Sequence, residues 1–164
     1  MPLVMLNAMV FLGSVADLTK EYDCAEFFSG VGNVGGSFVE RGYMAALYDI
    51  ERSRDFEDLT KPEGFLTAMA TTIKCKPGAL AHWATVCSSW VWVCRATTKR
   101  SMLNPKGDTR HQFVTDGNVM VARMVLLVLV GLALEVQWIL EQPSSSIMPW
   151  THWMRLLRSI VGTI

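Results

Sequence analysis

The sequence predicts an α/β domain with a mostly parallel sheet and helices on both faces. Three observations point there. Apolar runs of strand length alternate along the chain with longer segments of helical periodicity. Gly30, Gly32 and Gly35 give a glycine turn, G-x-G-x-x-G, between the first strand and the first helix. An acid, Asp49, ends the second strand, where a ribose-binding carboxylate would sit.

The elements follow in order. "DCAEFF" is a short apolar strand running into the glycine turn, and "GGSFVERGY" is a helix with Phe38 and Val39 inward and Glu40 and Arg41 outward. Gly42 stops it, as glycines just past a helix do. "YMAALYDIE" is the second strand, and "PEGFLTAMATTIK" is a helix with Pro62 in its first turn. A third strand is predicted near residues 82–87 of "LAHWATVCSSW". The tryptophans of "WVWV", Trp90 and Trp92, alternate and so face one side of a strand, in the core. "SMLNPKGDTRH" is a turn-rich loop, "NVMVARMVLLVLVGLAL" a long buried helix, and "EVQWILEQP" a last strand stopped by Pro143. "PSSS", residues 143–146, suits a helix-capping segment. One domain is expected over residues 1–164: an N-terminal extension (1–20), a core (21–146), and an early end for a complete doubly wound sheet.

Composition narrows the function classes. Of 164 residues, 51% are hydrophobic and 18% charged, which suits a globular core. The formal net charge is zero, so any nucleic-acid surface must be local. Cys24, Cys75, Cys87 and Cys94 form no C-x-x-C and have no histidine at ligand spacing, so free thiols in a reducing, intracellular compartment are expected, with no metal. The apolar start, residues 2–16, lacks the basic flank of a signal peptide. The run at 124–134 is too short to span a bilayer, so no membrane is expected. Nothing in the sequence sets an oligomeric state.

A strand, a glycine turn and a helix form a nucleoside pocket in which backbone approaches the ligand closely. Both nicotinamide cofactors and S-adenosylmethionine call for an acid at Asp49. Dinucleotide enzymes carry small apolar residues before the first glycine; here stand Glu26, Phe27, Phe28 and Ser29. The Glu26 carboxylate suits a cationic cofactor better than a pyrophosphate.

"EFFSGVGNVGGSFVERGY" resembles the first motif of cytosine-5 DNA methyltransferases, and "ALYDIE" resembles their second. "ATVCSSW" falls where that family carries Pro-Cys-Gln, and "WILEQPSSS" where it carries Glu-Asn-Val or Glu-Asn-Pro. The resemblance covers residues 24–146 and implies a Rossmann-like class I methyltransferase sheet that binds S-adenosylmethionine. It places Glu26, Phe28, Ser29, Gly30, Val31, Gly32, Asn33, Asp49, Ile50 and Asp58 around the cofactor. Phe28 and Ile50 would lie against the adenine, Asp49 on the ribose and Asp58 on the adenine amino group. It makes Cys87 the nucleophile and Glu141 the acid that steadies the cytosine ring.

The chemistry is coherent. Carbon five of cytosine is a poor nucleophile, and a thiolate adding at carbon six turns the ring into an enamine. An acid at the ring nitrogen stabilises the developing charge, and a cytosine in duplex DNA would first be flipped out. Arg95, Lys99, Arg100, Lys106 and Arg110 follow the cysteine and offer phosphate contacts to DNA, or simply a solvated loop. Val86 and Ser88 flank the cysteine where the family has proline and glutamine, and Gln142 replaces its asparagine. Two other readings therefore stand: a domain of the same fold that has lost catalysis, with Cys87 a small buried hydrophobe, and a nicotinamide-dependent oxidoreductase.

Overall fold

A computed structural model describes residues 19–162. The apolar segment at residues 2–16 lies outside them. Four strands, β1 (Tyr22–Phe27), β2 (Ala45–Tyr48), β3 (Cys75–Trp83) and β4 (Gln137–Leu140), form an all-parallel sheet in the order β2-β1-β3-β4. The crossovers are helices α1 (Asn33–Val39), α2 (Pro62–Lys74) and α4 (Gln112–Ala133); a short α3 (Arg95–Thr98) precedes α4, and α5 (His152–Val161) follows β4. The chain steps from β1 outward to β2 and then returns to β3 on β1's other side. That reversal opens a crevice at the carboxyl ends of β1 and β3, where open α/β sheets hold their ligands.

Register sorts the side chains. Phe27, Trp83 and Leu140 share one row and one face, as do Ala25, Ala81 and Trp138. These pack with Ala68, Met69 and Ile73 of α2 and Val121, Met124, Val125 and Val128 of α4 in the main core. Phe27 and Trp83 stack with ring centroids 3.8 Å apart and planes 5° apart. Glu26, His82 and Ile139 lie on the other face, which α1 covers over β1 and β2. Beyond α1's cover, Ile139 on the edge strand is 53% exposed.

Several boundaries differ from expectation. β3 ends at Trp83, so Cys87 lies in the turn after the strand. Pro77 and Gly78 sit inside β3 at the register shift opposite residues 22–24; Pro77 has no amide hydrogen to donate there, and the Gly78 amide donates to the Glu135 carbonyl at 2.8 Å. Val39 is exposed, not inward: α1 has only seven residues and its buried one is Gly35. "WVWV" is no strand. A 3₁₀ turn begins at Trp92 and runs to Cys94, so Trp90 is buried while Trp92 is 65% exposed. α4 runs for 22 residues, so it is by length and composition apolar enough to cross a membrane; here Val121, Met124, Val125, Leu127 and Val128 are buried in the core.

Gly35 fixes how closely α1 approaches the sheet. A Cβ there would lie 2.3 Å from Leu47 Cδ2 and 3.2 Å from Glu26 Oε2, whereas one on Gly36 meets nothing within 4 Å. Gly35→Ala is expected to destabilise the domain by about 1–3 kcal/mol through overpacking. Gly36→Ala should stabilise it by about 0.5–1 kcal/mol, as alanine does in a helix interior. Urea unfolding of both variants checks the opposite signs.

Candidate functional site

The glycine turn is built from the end of β1. The Phe28 and Ser29 amides donate to the Tyr48 carbonyl at 2.8 and 3.1 Å, which ties the turn to the end of β2. Phe28, Gly30 and Gly32 all have positive φ, at 62°, 52° and 77°. Glycine adopts that region freely; Phe28 does so under strain, the kind that marks ligand-binding turns. No side chain caps α1 at Gly32. Glu26 does that work from the strand: its Oε2 accepts the Gly35 amide at 2.7 Å and its Oε1 the Val34 amide at 3.4 Å.

This corrects the reading of Glu26. It is 4% exposed and occupied with the helix N-terminus, so it does not face a cationic ligand or separate S-adenosylmethionine from NAD. Asp49 does reach the turn. Its Oδ2 accepts the Gly30 amide at 2.8 Å and its Oδ1 the Glu51 amide at 2.9 Å, while its own amide donates to Glu57 Oε2 at 2.7 Å. Each carboxylate oxygen accepts one bond and keeps a lone pair for a sugar hydroxyl. Val31 and Ile50 are exposed beside it, Asn33 is exposed at the start of α1, and Phe28 is half-buried. Together these residues leave an open, partly apolar rim around the Asp49 carboxylate. Glu57, which the sequence gave no reason to single out, is the group that positions Asp49.

Asp58 does not join that rim. Its Oδ1 accepts the Thr60 amide at 2.9 Å and the Thr60 hydroxyl at 2.6 Å, closing the turn that starts α2. Its carbonyl oxygen would lie 2.0 Å from a Cβ at position 64, so only glycine fits there. The expected adenine contact is thus replaced by a structural turn.

The second half of the site stands at the carboxyl ends of β3 and β4. Cys87 and Glu141 line one cavity of about 270 Å³ together with Ala84, Thr85, Gln142 and Pro143. The Glu141 amide donates to the Trp83 carbonyl at 2.8 Å, which extends the β3–β4 ladder to the acid. Gln142 locks the two walls: its Nε2 donates to the Thr85 carbonyl at 2.6 Å, and its Oε1 accepts from the Ser146 hydroxyl at 3.0 Å. Ser146 in turn accepts the Met148 amide at 3.2 Å; the 3₁₀ turn that follows starts from Ile147 with no side-chain cap, so the "PSSS" segment ties the turn without capping a helix. The Glu141 side chain is 73% exposed and lies 3.7 Å, Oε2 to Nε2, from His82. His82 is nearly buried, and its Nδ1 has no hydrogen-bond partner. Sequence reasoning passed over it; its place five residues before Cys87 in a strand was the available signal.

The basic segment divides. Arg100 is 2% exposed, with its guanidinium 3.4 Å from the Trp90 ring centroid. It donates to the carbonyls of Pro105, Lys106 and Val114, to Asn118 Oδ1 and to Ser89 Oγ. Burial pushes its pKa down to about 10. Arg100 therefore pins the loop from within and is withdrawn from any phosphate-binding surface. Arg110 is paired with Asp108 through two nitrogens, and the hydrogen bonds from its side chain and amide, helped by its charge, hold that carboxyl well below the usual range. Arg95 lies over the exposed Trp92 ring at 4.3 Å. Lys99 and Lys106 are exposed. What remains of the patch is Arg95, Lys99 and Lys106 beside exposed Val93, Met102 and Leu103.

Among the described residues, no three His, Cys, Asp or Glu side chains are grouped to hold a metal ion. Burial, with a smaller contribution from Glu26, pushes the Cys24 thiol up to about 12; burial pushes Cys75 up to about 11. Cys87 and Cys94 are only half-buried. The thiolate is the reactive form. Native protein treated with iodoacetamide at pH 8 is therefore expected to take label on Cys87 and Cys94, and on Cys24 and Cys75 only after denaturation. Peptide mass mapping reads this, and early labelling of Cys24 would contradict the packing of β1.

No protein-family model, curated protein or solved structure matches this chain.

Proposed function

We propose that this chain is an S-adenosylmethionine-binding, class I methyltransferase-like domain that acts on carbon five of cytosine in DNA. One observation carries the reading: a thiol and a carboxyl, Cys87 and Glu141, line a single cavity at the carboxyl ends of adjacent parallel strands. Hydride transfer to or from a nicotinamide needs no such thiol, so the pair favours methyl transfer over the oxidoreductase reading.

Asp49 would hold the ribose, with Val31, Ile50 and Phe28 around the adenine. The bound cofactor supplies an electrophilic methyl group. The rest of the chemistry belongs to the chain. Cys87, as thiolate, adds to carbon six of the cytosine, and the ring's electron pair moves to carbon five. Glu141 donates a hydrogen bond or a proton at the ring nitrogen and spreads the developing charge. Carbon five would then take the methyl group, with the electron pair of the broken sulfur–methyl bond left on the cofactor's sulfur, and loss of the carbon-five proton to water expels the thiolate and restores the ring. Gln142 holds the two walls at fixed separation through Thr85 and Ser146.

A second reading, a domain of this fold without catalysis, draws support from the mouth of the cavity. Glu141 is mostly solvent-exposed there, and Val86 and Ser88 flank the cysteine.

An oligonucleotide carrying 5-fluorocytosine separates the two. Fluorine cannot leave as a proton does, so an active enzyme stays covalently attached. A denaturation-resistant adduct that needs S-adenosylmethionine and disappears in Cys87→Ser is expected; cofactor binding without an adduct would leave the non-catalytic reading. Asp49→Ala is expected to weaken S-adenosylmethionine binding by roughly tenfold to a hundredfold, measured by calorimetry. It should also cost about 1–2 kcal/mol of stability, because Asp49 accepts the Gly30 and Glu51 amides. Tight NAD binding with no S-adenosylmethionine signal would overturn the proposal.

A further inference from the structure

A cavity of about 400 Å³ lies between the loop that follows α3 and the first turn of α5, away from Cys87 and Asp49. Trp90 closes its floor and the partly exposed Trp153 forms a wall. Leu103, exposed at the rim, adds apolar surface, and Asn104, Asn118 and Lys106 supply the polar groups the argument needs. Its volume is that of a small-molecule site.

Its electrostatics are one-sided. No aspartate or glutamate lines it. Lys106 is exposed and makes no ion pair among the described residues. Under the floor, Arg100 lies on Trp90, and its hydrogen-bond partners are carbonyls, a hydroxyl and an amide, never a carboxylate. A buried cation without a neutralising anion leaves positive potential in a low-dielectric wall. Trp90 is buried with Arg100 against its ring, so Trp153, 37% exposed, is the indole that offers a flat face to an aromatic ring. Asn118 is rigid, with its oxygen accepting from Arg100 and its nitrogen donating to the Lys106 carbonyl at 3.0 Å, which fixes the backbone that carries the Lys106 side chain.

We propose that this cavity binds a planar aromatic anion, a ring that lies on Trp153 above the Trp90 floor and carries one phosphate or carboxylate toward Lys106. The site is built on the inner clasp of the loop and does not depend on the methyltransferase reading. It has one evident link to the Cys87 turn: the Trp90 amide donates to the Cys87 carbonyl at 2.8 Å.

The test uses three probes of one shape: 1-naphthyl phosphate, neutral 1-naphthol and cationic 1-naphthylmethylamine. Each is titrated into the whole protein while the tryptophan indole signals are followed by ¹H–¹⁵N correlation spectra. The phosphate is expected to shift the Trp90 and Trp153 signals and to bind about tenfold or more tightly than the neutral probe, with the amine weakest. Lys106→Glu, on the surface, should weaken the phosphate about tenfold or more and leave 1-naphthol nearly unchanged. Trp153→Ala should weaken both. Equal binding of all three probes, no response to Lys106→Glu in a variant whose spectrum stays dispersed, or shifts confined to Trp138 of β4 would overturn the proposal.

Discussion

A buried carboxylate at the end of β1 is the constraint on which the rest depends. Glu26 reaches from the sheet to the first free amides of α1, and in doing so sets the distance between strand and helix. Charge-assisted bonds of this kind contribute about 1.5–3 kcal/mol each, and an unpaired carboxylate in the same place would cost more. The glycines answer to it. Gly35 must lack a side chain because the helix is drawn against Leu47 and Glu26, and Gly30 and Gly32 turn the chain through left-handed conformations so that those amides point back at the strand. With the turn held so, the Gly30 amide meets Asp49, and the ends of β1 and β2 become one rigid rim.

The same principle, polar groups fixing where apolar layers end, governs the other half of the sheet. Phe27 and Trp83 stack across β1 and β3, and beyond them the ladder gives way to side-chain bonds. Gln142 joins the turns after β3 and β4; Arg100 gathers the loop between α3 and α4 around Trp90. Gly117 permits this clasp, since a Cβ there would lie 2.5 Å from Ser89 Oγ and 3.3 Å from the Arg100 guanidinium. The carboxyl edge of the sheet is thus a set of loops each tied by one polar residue, with cavities left between the ties.

The alternation of strands and helices was legible in the sequence because period and punctuation agreed. Pro62 opens α2, Gly42 follows α1, and apolar runs of the right length give β1, β2 and β4. β3 was misplaced because Pro77 and Gly78, which normally break a strand, are housed in an irregularity of the ladder. The roles of charged residues were harder to read. Nothing in a string of letters separates Arg100, bonded to the carbonyls of Pro105 and Lys106 in its own loop and of Val114 in α4, from Lys99 next to it in solvent. Glu26 and Asp58 look like ligand-facing acids by position, yet each is used by the nearest unpaired amides, which depend on the turn formed around them. Cys87 and Glu141 were paired through the family resemblance, and the parallel pairing of β3 with β4 is what brings them to one cavity.

β4 carries a different consequence. Gln137, Trp138, Ile139 and Leu140 form the outer strand of the sheet among the described residues, with no lysine or proline in it and an apolar side chain facing water at Ile139. Open strand edges of this composition recruit other strands, and natural proteins usually guard them with charge. Here the nearest charges are Glu135 and Glu141, one on each flank. Two acids therefore stand against edge-to-edge association of copies along β4, and replacing them with neutral residues would favour fibrillar aggregates before the core itself is lost.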